Sequence, residues 1–220
     1  MDPGDASWKP SKLGTKEHWD SVYETELENF EEIGDEGEVW FGQDSVDKMV
    51  EWATAHVPAS NAPLILEIGS GNGTLLFALA DAEYPQHKMC GVDYSADAVK
   101  LATNISASRS CQDILFATRD FLAEDPPRLD SMEQSGGVDE WDLLLDKGTF
   151  DAIALASADE SGQSPLDGYP ARVARLLKPG GFFLITSCNF TEDELKSKFT
   201  SSELGLEYQY VSAFPPELSS

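Results

Sequence analysis

The sequence predicts an α/β fold: an open, doubly wound, mostly parallel sheet with helices on both faces. Three observations carry this. From residue 64 onward, short strand-like runs alternate with segments of helical period, which implies right-handed strand-helix-strand crossovers. The strand-like runs are apolar along their whole length, as strands covered on both faces are. The first of them, LILEIGSGNGT (64–74), ends in an acidic residue and then three glycines at every second position.

Residues 1–12 (MDPGDASWKPSK) mix Pro, Gly, Ser and charge without period and read as a flexible tail. HWDSVYETELENFEEI (18–33) reads as a helix with Trp19, Val22, Tyr23 and Leu27 on one packing face. EVWFG (38–42) is a short ordered loop. In QDSVDKMVEWATAHV (43–57), Val46, Met49, Val50, Ala53 and Val57 share a face, with Asp44 or Ser45 placed to cap the helix. LILEI (64–68) is a strand, TLLFALADA (74–82) a helix, KMCGVDY (88–94) a strand, and SADAVKLATNISASR (95–109) a helix capped by Ser95. ILFATRD (114–120), WDLLLD (141–146) and GFFLITSC (181–188) are three more strands. YPARVARLLKPGG (169–181) puts Val173, Leu176 and Leu177 on one helical face and stops at Pro179 and its glycines. TEDELKSKF (191–199) opens with the capping-box pair Thr191 and Glu194, and LEYQYVSAF (206–214) is a last strand. Between these elements, 123–140 and 157–168 are acidic, Pro/Gly/Ser-rich loops expected to be mobile.

Fifteen basic against 40 acidic side chains give a net charge of −25, with Lys and Arg scattered rather than clustered. Such a field repels a nucleic-acid backbone or an anionic membrane and favours a basic protein partner. Cys90, Cys111 and Cys188 form no CxxC pair and the three histidines have no metal-ligand spacing, so neither a zinc site nor a disulfide framework is expected. The apolar runs are too short to cross a bilayer. An intracellular, reduced, monomeric protein is expected.

Glycines directly after a buried strand let the backbone turn sharply and approach a ligand, because no Cβ intervenes. Here they are Gly69, Gly71 and Gly73. The dinucleotide fingerprint places a third glycine where this chain has Thr74, so the loop fits a phosphate ligand poorly, although it could also be an ordinary strand-to-helix turn. Asp93 ends the second strand, where a carboxylate can accept hydrogen bonds from both hydroxyls of a ribose. Asp120 ends the third, beside Phe121, where an acid can take an adenine amino group against an apolar wall. Each aspartate taken singly could equally be a turn or cap residue.

LEIGSGNGT, GVDYS, RDF and LLKPGGFFLIT together resemble the class I, seven-stranded S-adenosylmethionine-dependent methyltransferases over residues 62–214. LGTKEHWDSVYETEL, EVWFG, LDKGTFDAI and GFFLITSCNFTEDEL are similar, more narrowly, to the fungal and animal protein-lysine methyltransferases of translation elongation factor 1-alpha over residues 13–199. The resemblance implies a single methyltransferase domain over 13–220, with a helical cap (13–57) on a cofactor-binding sheet (62–214), acting in the cytoplasm. It implies S-adenosyl-L-methionine as cofactor, held by Glu67, Gly69, Gly71, Gly73, Asp93, Tyr94, Asp120, Phe121, Asp146 and Trp40. An acid-lined pocket suits a ligand bearing a sulfonium and an ammonium and no phosphate. One departure stands out: the family closes its sheet with an antiparallel seventh strand, and no sequence for one follows LEYQYVSAF.

Asp146, at the end of the fourth strand, is the candidate for positioning the acceptor amine; its alternative role is to cap the DKGT turn. Trp40, Phe41, Phe150, Asn189 and Tyr23 are the candidate walls of a substrate channel, with Trp19 beside Tyr23, while core packing is the alternative for Phe150 and for the helix face. The rival readings are a methyltransferase of another protein or of a small molecule, a nucleic-acid base methyltransferase, a NAD-dependent oxidoreductase, and a non-catalytic cofactor-binding interaction module. DKGTF in place of an Asp/Asn-Pro-Pro-aromatic motif speaks against the base methyltransferase, and Thr74 against the oxidoreductase.

Overall fold

The computed structural model describes residues 9–130, 132, 140–159 and 161–209. Five strands, β1 (Ile65–Ile68), β2 (Met89–Asp93), β3 (Leu115–Thr118), β4 (Trp141–Lys147) and β5 (Leu177–Thr186), form one sheet in the order β3-β2-β1-β4-β5. Every pairing is parallel. The order reverses between β1 and β4, and a doubly wound sheet opens its ligand crevice at the carboxyl end of such a switch.

Side-chain alternation along the strands builds two cores. Ile65, Leu143 and Leu145 face one side, where they meet α1 (Lys16–Ile33), α2 (Gly42–His56), α3 (Thr74–Asp81) and α4 (Ala96–Ser108) through Leu27, Met49, Leu76 and Leu101. Leu66, Ile68 and Leu144 face the other, against α5 (Thr149–Ala154), α6 (Tyr169–Leu176) and α7 (Glu192–Phe199) through Phe150, Tyr169, Val173 and Phe199. Ser95 caps α4 as expected, and Thr191 with Glu194 forms the capping box of α7.

Several boundaries differ from the sequence reading. The α2 helix starts at Gly42, so Asp44 and Ser45 lie within its first turn rather than capping it, and the Ser45 hydroxyl donates to the Phe41 carbonyl at 2.6 Å. Its flanking residue Phe41 sits at φ +66, closing a turn in which the Gly42 amide donates to the Val39 carbonyl. The α6 helix ends at Leu176, and Leu177 already belongs to β5; Trp141 pairs with Leu177 and Leu143 with Phe182, so the Pro179-Gly180-Gly181 stretch is a bulge within the strand rather than only a helix stop. Residues 206–209 of the expected last strand are not in a sheet, and 210–214 lie outside the described residues. No antiparallel strand occurs among the described residues. At the other end, Ser11, read as part of a tail, donates its amide to the Leu155 carbonyl at 3.0 Å and caps the turn Lys12–Gly14. Of the two acidic loops, residues 131, 133–139 and 160 lie outside the described residues, and Ser164 with Asp167 forms a capping box on the turn Pro165–Gly168.

Candidate active site

A cavity of about 620 Å³ opens at the carboxyl ends of β1, β2 and β4, bounded by the glycine loop, by Asp93, by the start of α5 and by the N-terminal residues Trp19, Tyr23, Trp40 and Phe41. Gly69, Gly71 and Gly73 all take left-handed φ values of +66, +53 and +82, and each is also crowded. A Cβ on Gly69 would stand 1.9 Å from Thr149 Oγ1, one on Gly71 2.4 Å from the Tyr23 phenol oxygen, and one on Gly73 2.8 Å from the Phe116 ring.

Most of the loop amides are already spent. Those of Gly69 and Ser70 donate to the Val92 carbonyl, that of Gly71 to Asp93 Oδ2 at 3.0 Å, that of Gly73 to the Ser70 carbonyl, and that of Thr74 to Asn72 Oδ1. A phosphate cradle works by presenting unpaired backbone N–H groups. This loop presents a shaped wall instead.

The charged lining of the cavity is mixed, with Asp93, Asp120 and Asp151 beside Lys16, Arg119 and Lys147, and its buried acids are Asp93 and Asp151. Asp93 is buried and takes the amides of Gly71 and Ser95 on its two oxygens; burial, outweighing those bonds, pushes its carboxyl up to about 6. Glu67, two residues before the glycine loop, is also pushed up by burial, and the nearby Lys147 ammonium opposes that shift. Burial in turn drives the Lys147 ammonium below its ordinary value. Glu67 Oε2, Ser70 Oγ and Trp40 Nε1 are buried atoms with no hydrogen-bond partner among the described residues. Unpaired Ser70 and Trp40 atoms at the cavity, the unpaired Glu67 oxygen near it and the buried Asp93 carboxylate on its wall fit a cationic, hydroxyl-bearing ligand.

The N-terminal segment forms the opposite wall. Trp19 and Trp40 meet edge to face at 4.8 Å, and Trp19 stacks on Tyr23 at 6.2 Å. The Lys147 ammonium donates to the Trp40 carbonyl at 3.0 Å, tying this wall to the end of β4. Asn72 fastens it to the glycine loop: its Nδ2 donates to the carbonyls of Glu36 and Glu38, while its Oδ1 accepts from the amide and hydroxyl of Thr74. Tyr94 and the exposed Asp120 line the far end with the buried Phe121; Asp120 lies two residues beyond β3 and accepts the Leu122 amide at 2.9 Å.

Four of the expected site residues do not border the cavity: Glu67 is buried on β1, Gly73 precedes α3, and Asp146 and Phe150 are enclosed on the other side of the sheet. Asp146 is fully buried and does not border the cavity: Oδ1 accepts the Thr149 amide at 2.8 Å, and Oδ2 accepts the Phe150 amide at 3.0 Å and the Tyr169 phenol. Its carboxylate caps α5 and locks α6, so the expectation that it holds cofactor or acceptor amine gives way to a structural role. Phe150 is likewise no channel wall, being buried among Tyr169, Phe190 and Phe199 with ring centroids 5.0–5.2 Å away. Asn189 does border the cavity, as do Tyr23, Trp40 and Phe41. The sequence reading passed over Asn72, Lys147 and Asp151. Asp151, one helical turn beyond Gly148, borders the cavity, and the signal for it was the second acid of DKGTFD.

Sheet order, a glycine loop with most of its amides paired and an acid at the end of β2 define a Rossmann-like methyltransferase, and residues 59–211 match the family described as Methyltransferase domain. The sequence is 44% identical over 204 residues to the protein-lysine N-methyltransferase efm4 of Schizosaccharomyces pombe, covering 87% of this chain and 82% of that protein. It is 39% identical over 198 residues to the human EEF1A lysine methyltransferase 2, covering 90% of this chain and 78% of the human one. The chain belongs to this methyltransferase family, in the protein-lysine N-methyltransferase branch that holds these relatives. Among solved structures, the CcbJ methyltransferase of Streptomyces caelestis shares the fold at a TM-score of 0.51 and 18% identity, covering 76% of this chain and 57% of its own. The [4+2]-cyclase SpnF shares it at a TM-score of 0.55 and 17% identity, covering 81% and 61%.

Proposed function

We propose that the protein transfers methyl groups from S-adenosylmethionine to the ε-amine of a lysine in translation elongation factor 1-alpha, in the cytoplasm. The observation that carries the cofactor half is the glycine loop, most of whose amides are paired within the protein, beside the buried carboxylate of Asp93. The acceptor half rests on the kinship with lysine methyltransferases at 39–44% identity. When bound, the cofactor supplies an electrophilic methyl group on a sulfonium. In this reading Asp93 accepts the ribose hydroxyls, Tyr94, Asp120 and Phe121 border the adenine, and Gly69 and Gly71 border the methionine portion near Glu67. Trp40, Phe41, Tyr23 and Asn189 wall the entry of the lysine side chain.

The acceptor must arrive neutral. A lysine of ordinary pKa is about 3.4 units from deprotonation at pH 7, roughly 4.6 kcal/mol. Aromatic walls that strip water from the ammonium reduce this cost, and fixing the amine against the methyl carbon supplies much of the remaining rate. The net charge of −25 favours encounter with a basic protein. Incubating the protein with labelled S-adenosylmethionine and purified elongation factor 1-alpha tests the reading: label on a lysine, located by mass spectrometry, is the expected result. Elongation factor 1-alpha left unlabelled by protein that binds S-adenosylhomocysteine would refute it.

A further inference from the structure

We infer that Asp151 is the carboxylate that receives the acceptor's ammonium group, an assignment that rests on the lysine-methylation reading above. The segment DKGTFD offers two acids, and the fold spends the first on itself: Asp146 is enclosed by Thr149, Phe150 and Tyr169. Between them the chain reverses at Gly148, φ +88, where a Cβ would stand 2.2 Å from the Phe41 ring. Asp151 follows three residues later in the first turn of α5, and it borders the same cavity as Phe41 and Gly148.

The Asp151 carboxylate is 4% exposed and held from two directions: the Ser187 hydroxyl donates to Oδ1 at 2.5 Å and the Cys188 amide to Oδ2 at 2.7 Å. The Asn189 amide nitrogen donates to its backbone carbonyl at 3.4 Å. A carboxylate has about four acceptor positions, so capacity remains on both oxygens. No Lys or Arg forms a salt bridge with it among the described residues. A fixed, buried carboxylate that borders the cavity with no salt-bridge partner among the described residues is a receptor for an ammonium, and Phe41 and Trp40 border the same cavity, where aromatic rings attract a cation.

Holding the ammonium raises its pKa, so Asp151 serves acceptor binding and orientation, and the alkaline rise of kcat reports the bound lysine. The test is steady-state methylation of purified elongation factor 1-alpha by Asp151→Asn across pH, with S-adenosylhomocysteine calorimetry alongside. The expected result is unchanged cofactor affinity, a KM for the protein raised at least about tenfold, and the rise of kcat displaced to lower pH. A wild-type KM with an unmoved pH profile overturns the assignment. Should Asp151→Asn fail to bind S-adenosylhomocysteine, Ser187→Ala decides: it frees one of the two bonds that aim the carboxylate and is expected to raise KM several-fold at constant cofactor affinity, and an unchanged KM overturns the assignment. Wild-type protein that binds S-adenosylhomocysteine yet labels no lysine removes the methylation reading itself, and this assignment with it, before any variant is made.

Discussion

The Tyr169 phenol donates to Asp146, joining the first residue of α6 to the end of β4 where neither side chain reaches solvent or the cavity. Burial pushes the Asp146 carboxyl up to about 7 even though three donors converge on it. Replacing it strands those donors. Asp146→Ala is expected to lower unfolding stability by about 3 kcal/mol or more, and Tyr169→Phe by about 1–2 kcal/mol, measured by urea denaturation. An Asp146→Ala protein of wild-type stability would show that the cap is dispensable.

Asp93 and Asp146 also set a pH dependence of stability. With carboxyls raised to about 6 and about 7, the folded protein keeps protons that the unfolded chain releases at ordinary aspartate values near 4. Stability from these groups is therefore greatest at the acidic side of the window and falls as pH rises from about 4 to about 7, then levels. The exposed Asp125, Glu192 and Glu194, whose carboxyls are lowered by Arg175, Lys196 and Thr191 respectively, pull the other way but are weakened by solvent screening. The ligand-free protein should melt higher at about pH 5.5 than at about pH 7.5; calorimetric melting in the reverse order contradicts this.

Gly69 faces Thr149, whose hydroxyl donates to the Ile68 carbonyl at 2.8 Å and so has no room to retreat. Gly69→Ala should reduce S-adenosylhomocysteine affinity at least about tenfold, through both the clash and the left-handed backbone. Gly162 has a similar φ of +81 but open space around it. Gly162→Ala should cost about 1 kcal/mol of stability and leave affinity untouched. Equal affinities for the two variants would dismiss the steric account.

Lys147 balances Glu67 and holds the Trp40 carbonyl. Lys147→Met removes the neighbour that, among the described residues, draws the Glu67 carboxyl down, so more of that acid is neutral at physiological pH, and it frees the turn that carries Trp40 and Phe41. Cofactor affinity should fall several-fold, accompanied by a change in tryptophan emission as the Trp19–Trp40 contact loosens. Unaltered affinity and emission together would refute the coupling.

The strands and helices of the sheet were legible because period and capping chemistry are local: LILEI, KMCGVDY and the Thr191–Glu194 box each announce themselves within a few residues. The early start of α2 was hidden because it depends on Phe41 taking a left-handed conformation that bulky residues seldom adopt, against Gly148 more than a hundred positions later. The bulge at Pro179-Gly180-Gly181 carries the composition of a helix stop and of a strand irregularity alike, and only pairing with Trp141 and Leu143 distinguishes them. Asp93, Gly69 and Gly71 border the cavity, and Gly73 does not. The exchange of Asp146 for Asp151 turns on which way two acids five residues apart point, which the partners Tyr169 and Ser187 decide and no spacing rule encodes.

Asn72 reaches from the glycine loop to the carbonyls of Glu36 and Glu38, so the stretch that matches the methyltransferase family, 59–211, is not a self-sufficient piece of this molecule. A shortened chain begun at residue 59 would bare the faces of Leu75, Phe77 and Leu101 that α1 and α2 cover, and would leave the Asn72 amide and the Lys147 ammonium without their carbonyl acceptors. Anyone seeking a minimal soluble fragment for crystals or screening should therefore cut no later than Ser11, the residue that fastens the helical cap to Leu155.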